Sequence, residues 1–233
     1  GGEPPLHRDK SPLKVEGDLV YAENGGIAVK AGEGAQVEIT FIDGKLPENR
    51  WLMPFPRNDH FVGREELLSV IHQHLTSKEP RPVGLVGMGG SGKTQTAVEY
   101  AYRHEKDYPG GVFLFSATDP TRWQAELAGV ARSFGLIVTQ PNQSDAEMRL
   151  AQSFAAYLNQ HPDSLLIVDN LTDPADLGVT RVQGVALGAL RCRVLFTTRL
   201  PRPGLPYAWL EVGCLPEPEA LQLLLRRESR QPA

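Results

Sequence analysis

The chain has little cysteine, no strong excess of one charge and no long apolar run. Among its 233 residues only Cys192 and Cys214 could form a disulfide, which argues against a secreted disulfide scaffold and predicts two reduced, buried thiols. The formal net charge of -4 disfavours a broad nucleic-acid-binding face. No apolar stretch approaches the roughly 20 residues that span a bilayer, and no signal peptide is visible. We therefore expect a cytoplasmic protein without a membrane span.

The overall composition is that of a globular protein, with 41% hydrophobic and 22% charged residues. This length accommodates one large domain with appendages. The first residue is Gly1 rather than Met, so we expect either an excised piece or a chain from which a tag was cleaved.

Short apolar runs alternate with segments of helical periodicity along most of the chain. Such near-continuous apolar strands are typical of a parallel sheet that helices cover on both faces. The predicted fold class is therefore α/β, with a five-stranded parallel sheet between helices. The five predicted strands lie at 83–86, 112–115, 165–168, 194–196 and 209–212.

The N-terminal region differs from this pattern, and residues 1–50 are predicted to form a flexible arm. Residues 1–18 are polar and proline-containing, which predicts disorder. Residues 19–42 alternate apolar and polar positions between glycine-rich breaks, which predicts short strands or a hairpin able to self-associate, or a segment without a role. Residues 43–60, with three prolines, are predicted to be an extended linker.

The most informative motif follows the first predicted strand of the sheet. It matches G-x-x-x-x-G-K-[ST], the phosphate-binding loop of nucleoside triphosphatases, and a helical pattern follows it. Its glycines allow successive backbone N–H groups to surround anionic oxygens, at a helix N-terminus that also favours negative charge. A lysine at its end can reach the β- and γ-phosphates, and the next hydroxyl can ligate Mg²⁺. The predicted nucleotide-binding residues here are Gly87, Met88, Gly89, Gly90, Ser91, Gly92, Lys93, Thr94 and Gln95.

Another buried strand ends in Asp169 and Asn170, the Walker B pattern in which the acid helps to hold Mg²⁺. Thr94 and Asp169 are thus the candidate metal ligands. Many ATPases of this type carry a second acid at position 170. An asparagine can orient a water molecule but cannot accept its proton, so we expect slow hydrolysis, or none without a partner.

Two further stretches are candidates for contact with the nucleotide. Arg199 follows a buried strand and two threonines, where a guanidinium can detect a γ-phosphate; an ordinary surface arginine is the alternative. Phe61, Val62 and Arg64 precede the first helix and could flank an adenine, although a phenylalanine that staples the helix is equally compatible. The guanine-reading N-K-x-D run is missing from the sequence, which favours adenine.

In order along the chain, these motifs resemble the NB-ARC domain of STAND-class signalling ATPases. The matching runs are Phe61-Val62-Gly63-Arg64-Glu65, Gly87 to Thr94, Leu166 to Asp169 and Arg193 to Arg199. Pro54 to Asn58 and Lys93 to Tyr102 are similar to bacterial members that carry tetratricopeptide repeats. The resemblance covers roughly residues 54–227.

The resemblance implies a nucleotide-operated switch that is closed with ADP and oligomerises with ATP, with effector and sensor regions elsewhere in the protein. It also places Phe61, Val62 and Arg64 beside the adenine. Residues 51–212 would form the nucleotide-binding domain, and 213–233 the first helix of a truncated helical domain.

Two other functions remain compatible with the residues. A metabolic P-loop kinase would turn over fast and would need a pocket for its acceptor. A DNA-associated regulatory ATPase would need a basic recognition element, which the acidic balance disfavours. The sequence therefore predicts a weak Mg²⁺-dependent ATPase at most, with ATP or ADP as its ligand.

Overall fold

The strands of the central sheet alternate their side chains between two cores. In the computed structural model, which describes residues 14–16, 19–21, 27–31, 35–41, 47–138, 143–179, 181–182, 185–187, 190–201 and 204–228, thirteen strands and six α-helices are assigned. The strands are β1 (Lys14–Glu16), β2 (Leu19–Tyr21), β3 (Ile27–Ala31), β4 (Ala35–Phe41), β5 (Trp51–Leu52), β6 (Val83–Val86), β7 (Gly111–Ser116), β8 (Leu136–Val138), β9 (Ser164–Leu171), β10 (Arg181–Val182), β11 (Val185–Ala186), β12 (Arg193–Thr198) and β13 (Ala208–Glu211). The helices are α1 (Glu65–Leu75), α2 (Lys93–Arg103), α3 (Trp123–Ser133), α4 (Gln143–Gln160), α5 (Asp176–Val179) and α6 (Glu217–Glu228).

Six strands form one parallel sheet in the order β13-β6-β12-β9-β7-β5. On β9, Leu165 and Ile167 enter a core shared with α1 and α2, whereas Leu166 and Val168 enter a core shared with α3 and α4. The two-residue period of a strand explains this division, because successive side chains point to opposite faces. The expected parallel sheet between helices is confirmed.

The prediction of five strands is wrong by one, since β5 adds a sixth at the edge. Residues 51–52 lie in the segment that was expected to be a linker. Val112 donates its backbone N–H to the carbonyl of Arg50 at 2.8 Å, and the Arg50 guanidinium donates to the carbonyl of Pro109 at 2.9 Å. These bonds attach the short segment to the free edge of β7 despite the prolines nearby.

The N-terminal strands form a second, antiparallel sheet in the order β1-β2-β3-β4-β8. The strands expected within residues 19–42 are therefore present. The expected disorder of residues 1–18 is wrong at β1, which pairs with β2; the rest of that segment lies outside the described residues. β8 was not predicted, and its pairing with β4 joins the N-terminal strands to the turn after α3.

Both cysteines are free thiols, but only Cys192 is buried. The expected burial of Cys214 is wrong because the residue lies in the exposed connection that leaves β13. Within the described residues, none of the helices combines the length and the apolarity that crossing a bilayer requires.

A buried carboxylate ties α2 to the segments before it. Glu99 is 4% exposed and accepts hydrogen bonds from Arg57 and Arg103, while Arg103 also pairs with Glu65 of α1. Burial alone raises the pKa of the Glu99 carboxyl, but its bonds to the two guanidinium groups outweigh burial, and the net shift is downward.

We expect Glu99→Gln to lower the free energy of unfolding by about 2 kcal/mol at pH 7, because an amide weakens the charge-assisted hydrogen bonds to Arg57 and Arg103, although Arg103 keeps its pairing with Glu65. A carboxyl whose folded pKa is depressed stabilises above its unfolded pKa, near 4.3, and loses that contribution as pH falls through the lower folded value. The difference between the two proteins should therefore shrink on acidification.

Urea unfolding at several pH values measures this difference. Glu66→Gln, at an exposed position on α1, is the matched control and should change stability by less than about 0.5 kcal/mol. Equal effects of the two substitutions would contradict a special role for Glu99.

Candidate functional site

The sheet order brings the motifs from three separate chain segments to one edge. β12 lies between β6 and β9, and all three strands run in parallel. The phosphate loop follows β6, Asp169 lies near the carboxyl end of β9, and Arg199 follows β12. Ligands of open α/β sheets occupy this edge.

The phosphate loop has the backbone form that an anion site needs. Gly90 and Gly92 have φ values of 79° and 91°, and α2 begins at Lys93 without a side-chain cap. The first N–H groups of α2 are therefore available to an anion. Gly87 is required for a different reason, since a Cβ there would lie 2.5 Å from the carbonyl oxygen of Val212.

Lys93 is buried and folds over the loop. Its ammonium donates to the carbonyl oxygens of Gly87 at 2.9 Å and Met88 at 2.7 Å. Burial lowers the pKa of Lys93, the positive charge of Arg199 lowers it further, and the charge of Asp169 acts in the opposite sense. A phosphate bound in the loop could replace the two carbonyl oxygens as the hydrogen-bond acceptor of the Lys93 ammonium.

Asp169 accepts two hydroxyl hydrogen bonds on a single oxygen. Thr94 donates to Oδ1 at 2.8 Å, and Thr197 donates to the same atom at 2.6 Å. The other oxygen, Oδ2, accepts from the Asn170 amide at 3.2 Å. Asp169 is 4% exposed, so these bonds satisfy a carboxylate that is largely withdrawn from solvent.

The oxygens of Thr94 and Asp169 fit a magnesium ion. Mg²⁺ takes six oxygen ligands at about 2.1 Å, so adjacent ligands of an octahedron lie about 3 Å apart. The observed 2.8 Å between Thr94 Oγ1 and Asp169 Oδ1 matches that separation. These two residues can hold the ion from one side, with phosphate oxygens and water completing its coordination.

Asn170 lies at the mouth of the site, where β9 bends. It is exposed, has φ 58°, and donates its backbone N–H to the hydroxyl of Thr197 at 2.9 Å. Its side chain can orient a water molecule through its amide but offers no basic group. Thr197 thus contacts both Walker B residues, a role that the sequence analysis did not assign to it.

Arg199 extends from the end of β12 to the phosphate loop. Its guanidinium carbon lies 3.6 Å from the place that a Cβ on Gly89 would occupy. Arg199, Asn170 and Thr118 line a cavity of about 570 Å³ at this edge of the sheet. The exposed guanidinium is therefore beside the loop, where a terminal phosphate would come within its reach.

Phe61, Val62 and Arg64, the residues expected beside the adenine, are linked to the phosphate loop by a hydrogen bond. Arg64 donates to the carbonyl of Ser91 at 2.7 Å and to that of Gly213 at 2.9 Å, and burial lowers the pKa of its guanidinium. Val62 is buried, so its backbone rather than its side chain is available to a ligand. Phe61 is half-buried and packs against the core shared by α1 and α2, as a helix staple would. Gln95 is exposed on the first turn of α2.

Comparison with known proteins gives the same picture of the fold and its class. The family model of the NB-ARC domain matches residues 64–229. A nucleotide-binding leucine-rich repeat (NLR)-like protein of the fungus Hyaloscypha variabilis is 34% identical over 128 residues, which are 52% of this chain and 12% of the relative. Apoptotic protease-activating factor 1 of Rattus norvegicus is 26% identical over 207 residues, 83% of this chain and 15% of the relative.

Among solved structures, Cdc6p from Pyrobaculum aerophilum has a TM-score of 0.51 at 17% identity, over 76% of this chain and 52% of that chain. This similarity concerns the fold alone. The chain spans less than one sixth of the length of the two curated relatives.

We expect Thr197→Val to weaken both the fold and Mg²⁺–nucleotide binding, because the isosteric change leaves the Asn170 N–H without its acceptor and removes one donor from Asp169. Loss of these buried bonds should cost about 1–3 kcal/mol of unfolding free energy. Chemical denaturation and calorimetric titration with Mg²⁺–ADP measure the two effects.

Thr198→Val is the matched control, since Thr198 is also buried and its hydroxyl forms long hydrogen bonds, of 3.3 and 3.4 Å, with the backbone of Leu200 rather than with Asp169 or Asn170. Its effect should stay below about 1 kcal/mol, because hydrogen bonds this long are weak. Similar losses in both variants would contradict the role given to Thr197.

Proposed function

The chain belongs to the NB-ARC domain family of nucleotide-binding signalling domains, and on that premise we propose that it is the ATP- and ADP-binding switch of a larger protein. The observation that carries the proposal is the set of residues around Thr94 and Asp169 at the carboxyl ends of the strands, a place called the magnesium edge below. Thr94 and Asp169 form an ordered pair of candidate magnesium ligands, Thr197 holds Asp169 in place, and the adjacent Asn170 lacks a basic group. Such a site is suited to holding a triphosphate with Mg²⁺ and poorly suited to cleaving it quickly.

Binding would be shared by the backbone and three side chains. The N–H groups of the phosphate loop and the first turn of α2 would surround the phosphates, and Lys93 would exchange its carbonyl partners for phosphate oxygens. Magnesium, held by Thr94 and Asp169, supplies charge neutralisation when bound. Arg64 would keep the adenine-flanking turn fixed to Ser91.

Discrimination between ATP and ADP would depend on Arg199. Its guanidinium faces the loop across Gly89, so a γ-phosphate can attract it whereas ADP leaves it further from its partner. A change in the position of Arg199 between the ATP-bound and ADP-bound forms would also move the residues next to it, among them Leu200, which is 57% exposed.

Nucleotide-controlled oligomerisation, a weak ATPase activity and a cytoplasmic location belong to the same proposal. An exposed apolar side chain in the phosphate loop supports oligomerisation, because Met88 is 83% exposed and could be covered by a second copy of the chain. Because the relatives are several times longer, the effector and sensor regions would lie in other parts of the protein. A bacterial, tetratricopeptide-linked subtype and a role in defence or regulation remain predictions from the motifs.

We expect Arg199→Ala to lower the affinity for ATP about tenfold and to leave the affinity for ADP within about twofold, since it removes one charge-assisted hydrogen bond to the γ-phosphate. Calorimetric titration with each nucleotide in Mg²⁺ measures this. Arg191→Ala, an exposed arginine that precedes the other end of β12, is the control. Equal losses for ATP and ADP would rule out a sensor role.

We expect Asn170→Asp to raise the ATP hydrolysis rate about 100-fold or more, because it supplies the missing general base. An aspartate also tolerates the positive φ of this position, so the backbone should be unchanged. Single-turnover hydrolysis measures the rate, with Asn159→Asp, far from the loop on α4, as control. An unchanged rate with normal Mg²⁺–ATP binding would contradict the missing-base explanation.

Fast turnover by the unmodified chain, accelerated by a small acceptor, would instead indicate a kinase.

A further inference from the structure

Three potential metal ligands lie together at the end of α2 that is remote from the phosphate loop. His72 is in the last turn of α1, His104 directly follows α2, and Asp107 ends the short 3₁₀ turn Glu105–Asp107. One ligand atom from each residue can be chosen so that all three lie within 4.8 Å of one another. His104 and Asp107 lie three residues apart in one turn, and the fold brings His72 of α1 against them.

The two imidazole rings are held in place by hydrogen bonds on one side. His72 Nδ1 lies 3.2 Å from the Tyr100 hydroxyl, which is itself 2.5 Å from the Tyr108 hydroxyl. His104 Nδ1 lies 2.9 Å from Asp107 Oδ2. The rings stack with centroids 4.1 Å apart and planes inclined by 17°. A partner such as the Tyr100 hydroxyl orients metal-binding histidines in proteins, whereas the contact between His104 and Asp107 would open when both residues bind an ion.

We propose that His72, His104 and Asp107 form a binding site for a divalent transition metal such as Zn²⁺. Two imidazole nitrogens and one carboxylate oxygen are a ligand set that this class of ion accepts, with water in the fourth position. Asp107 is 47% exposed on its side chain, which gives the ion a path from solvent.

The cluster needs side-chain rotations to coordinate the ion. Zinc–nitrogen bonds of about 2.0–2.1 Å place tetrahedral ligands about 3.4 Å apart, so ligand atoms that now lie within 4.8 Å of one another must approach by up to about 1.4 Å. Because an imidazole nitrogen binds a metal in the plane of its ring, the stacked rings of His72 and His104 must also turn out of their nearly parallel arrangement. The imidazoles must also be neutral to bind.

The proposed site is separate from the magnesium edge in both position and chemistry. Eleven residues of α2 lie between them, which is about 16 Å of helix. Magnesium prefers oxygen ligands, whereas the histidine cluster suits ions that also bind nitrogen. Binding of Zn²⁺ here should therefore proceed without nucleotide and in the presence of excess Mg²⁺.

The test is calorimetric titration of the metal-free, untagged chain with Zn²⁺ in the presence of excess Mg²⁺. We expect one equivalent to bind and to raise the melting temperature. His72→Asn, which keeps a polar group near the Tyr100 hydroxyl, should weaken binding at least about tenfold. The control His74→Asn changes an exposed histidine about 200° further around α1 and should bind as the unmodified chain does. Failure of the unmodified chain to bind, or equal binding by His72→Asn, would overturn the proposal.

A second measurement needs no variant and so does not depend on whether His72→Asn folds. Histidine modification by diethylpyrocarbonate, mapped by mass spectrometry, should be suppressed by Zn²⁺ at His72 and His104 and unchanged at His74. Equal modification of all three histidines with and without Zn²⁺ would contradict the site.

Discussion

The carboxylate of Asp169 connects the three segments on which the candidate nucleotide site depends. Its Oδ1 accepts from Thr94, the second residue of α2, and from Thr197 on β12, while Asp169 itself ends the buried part of β9. A carboxylate that is 4% exposed requires such partners, because burial of an unpaired charge is costly. Thr94 Oγ1 and Asp169 Oδ1 lie 2.8 Å apart, close to the separation of about 3 Å between adjacent ligands of an octahedral Mg²⁺ ion. The hydrogen bond between Thr94 and Asp169 therefore joins the two oxygens that Mg²⁺ would bind, and Thr197 keeps the carboxylate in position.

The parallel sheet is what makes this arrangement possible. β12 separates the strand before the phosphate loop from the strand before Asp169, so its terminal residues face both. Alternate side chains of β12 enter the two cores, and Leu195 and Phe196 are fully buried. The strand is thus fixed on both faces, and Thr197 at its end occupies a defined position. Arg199 continues from the same strand, so the proposed γ-phosphate sensor is attached to the rigid part of the molecule.

The main strands and the Walker residues could be predicted because apolar runs and glycine-rich motifs are local signals. The short strand β5 could not, since two residues carry no period and the prolines around them favour a linker. Thr197 and Thr198 look alike in the sequence, and only the register of β12 shows that Thr197 faces Asp169. The Glu99 network and the histidine cluster escaped prediction for a related reason. Glu99–Arg103 and His104–Asp107 are close along the chain, but only the fold brings Arg57, Glu65 and His72 to them. Cys214 was placed in the core from its residue type, although its position after β13 exposes it.

The account's central claim is that the edge around Asp169 is a ready site for Mg²⁺ and an adenine nucleotide. Calorimetric titration of the 233-residue chain with ADP and ATP, with Mg²⁺ and with a chelator, tests it most directly. The account predicts saturable binding of one nucleotide that is much tighter with Mg²⁺ than without. Affinity that is the same with Mg²⁺ and with chelator, or no binding of either nucleotide, would contradict it.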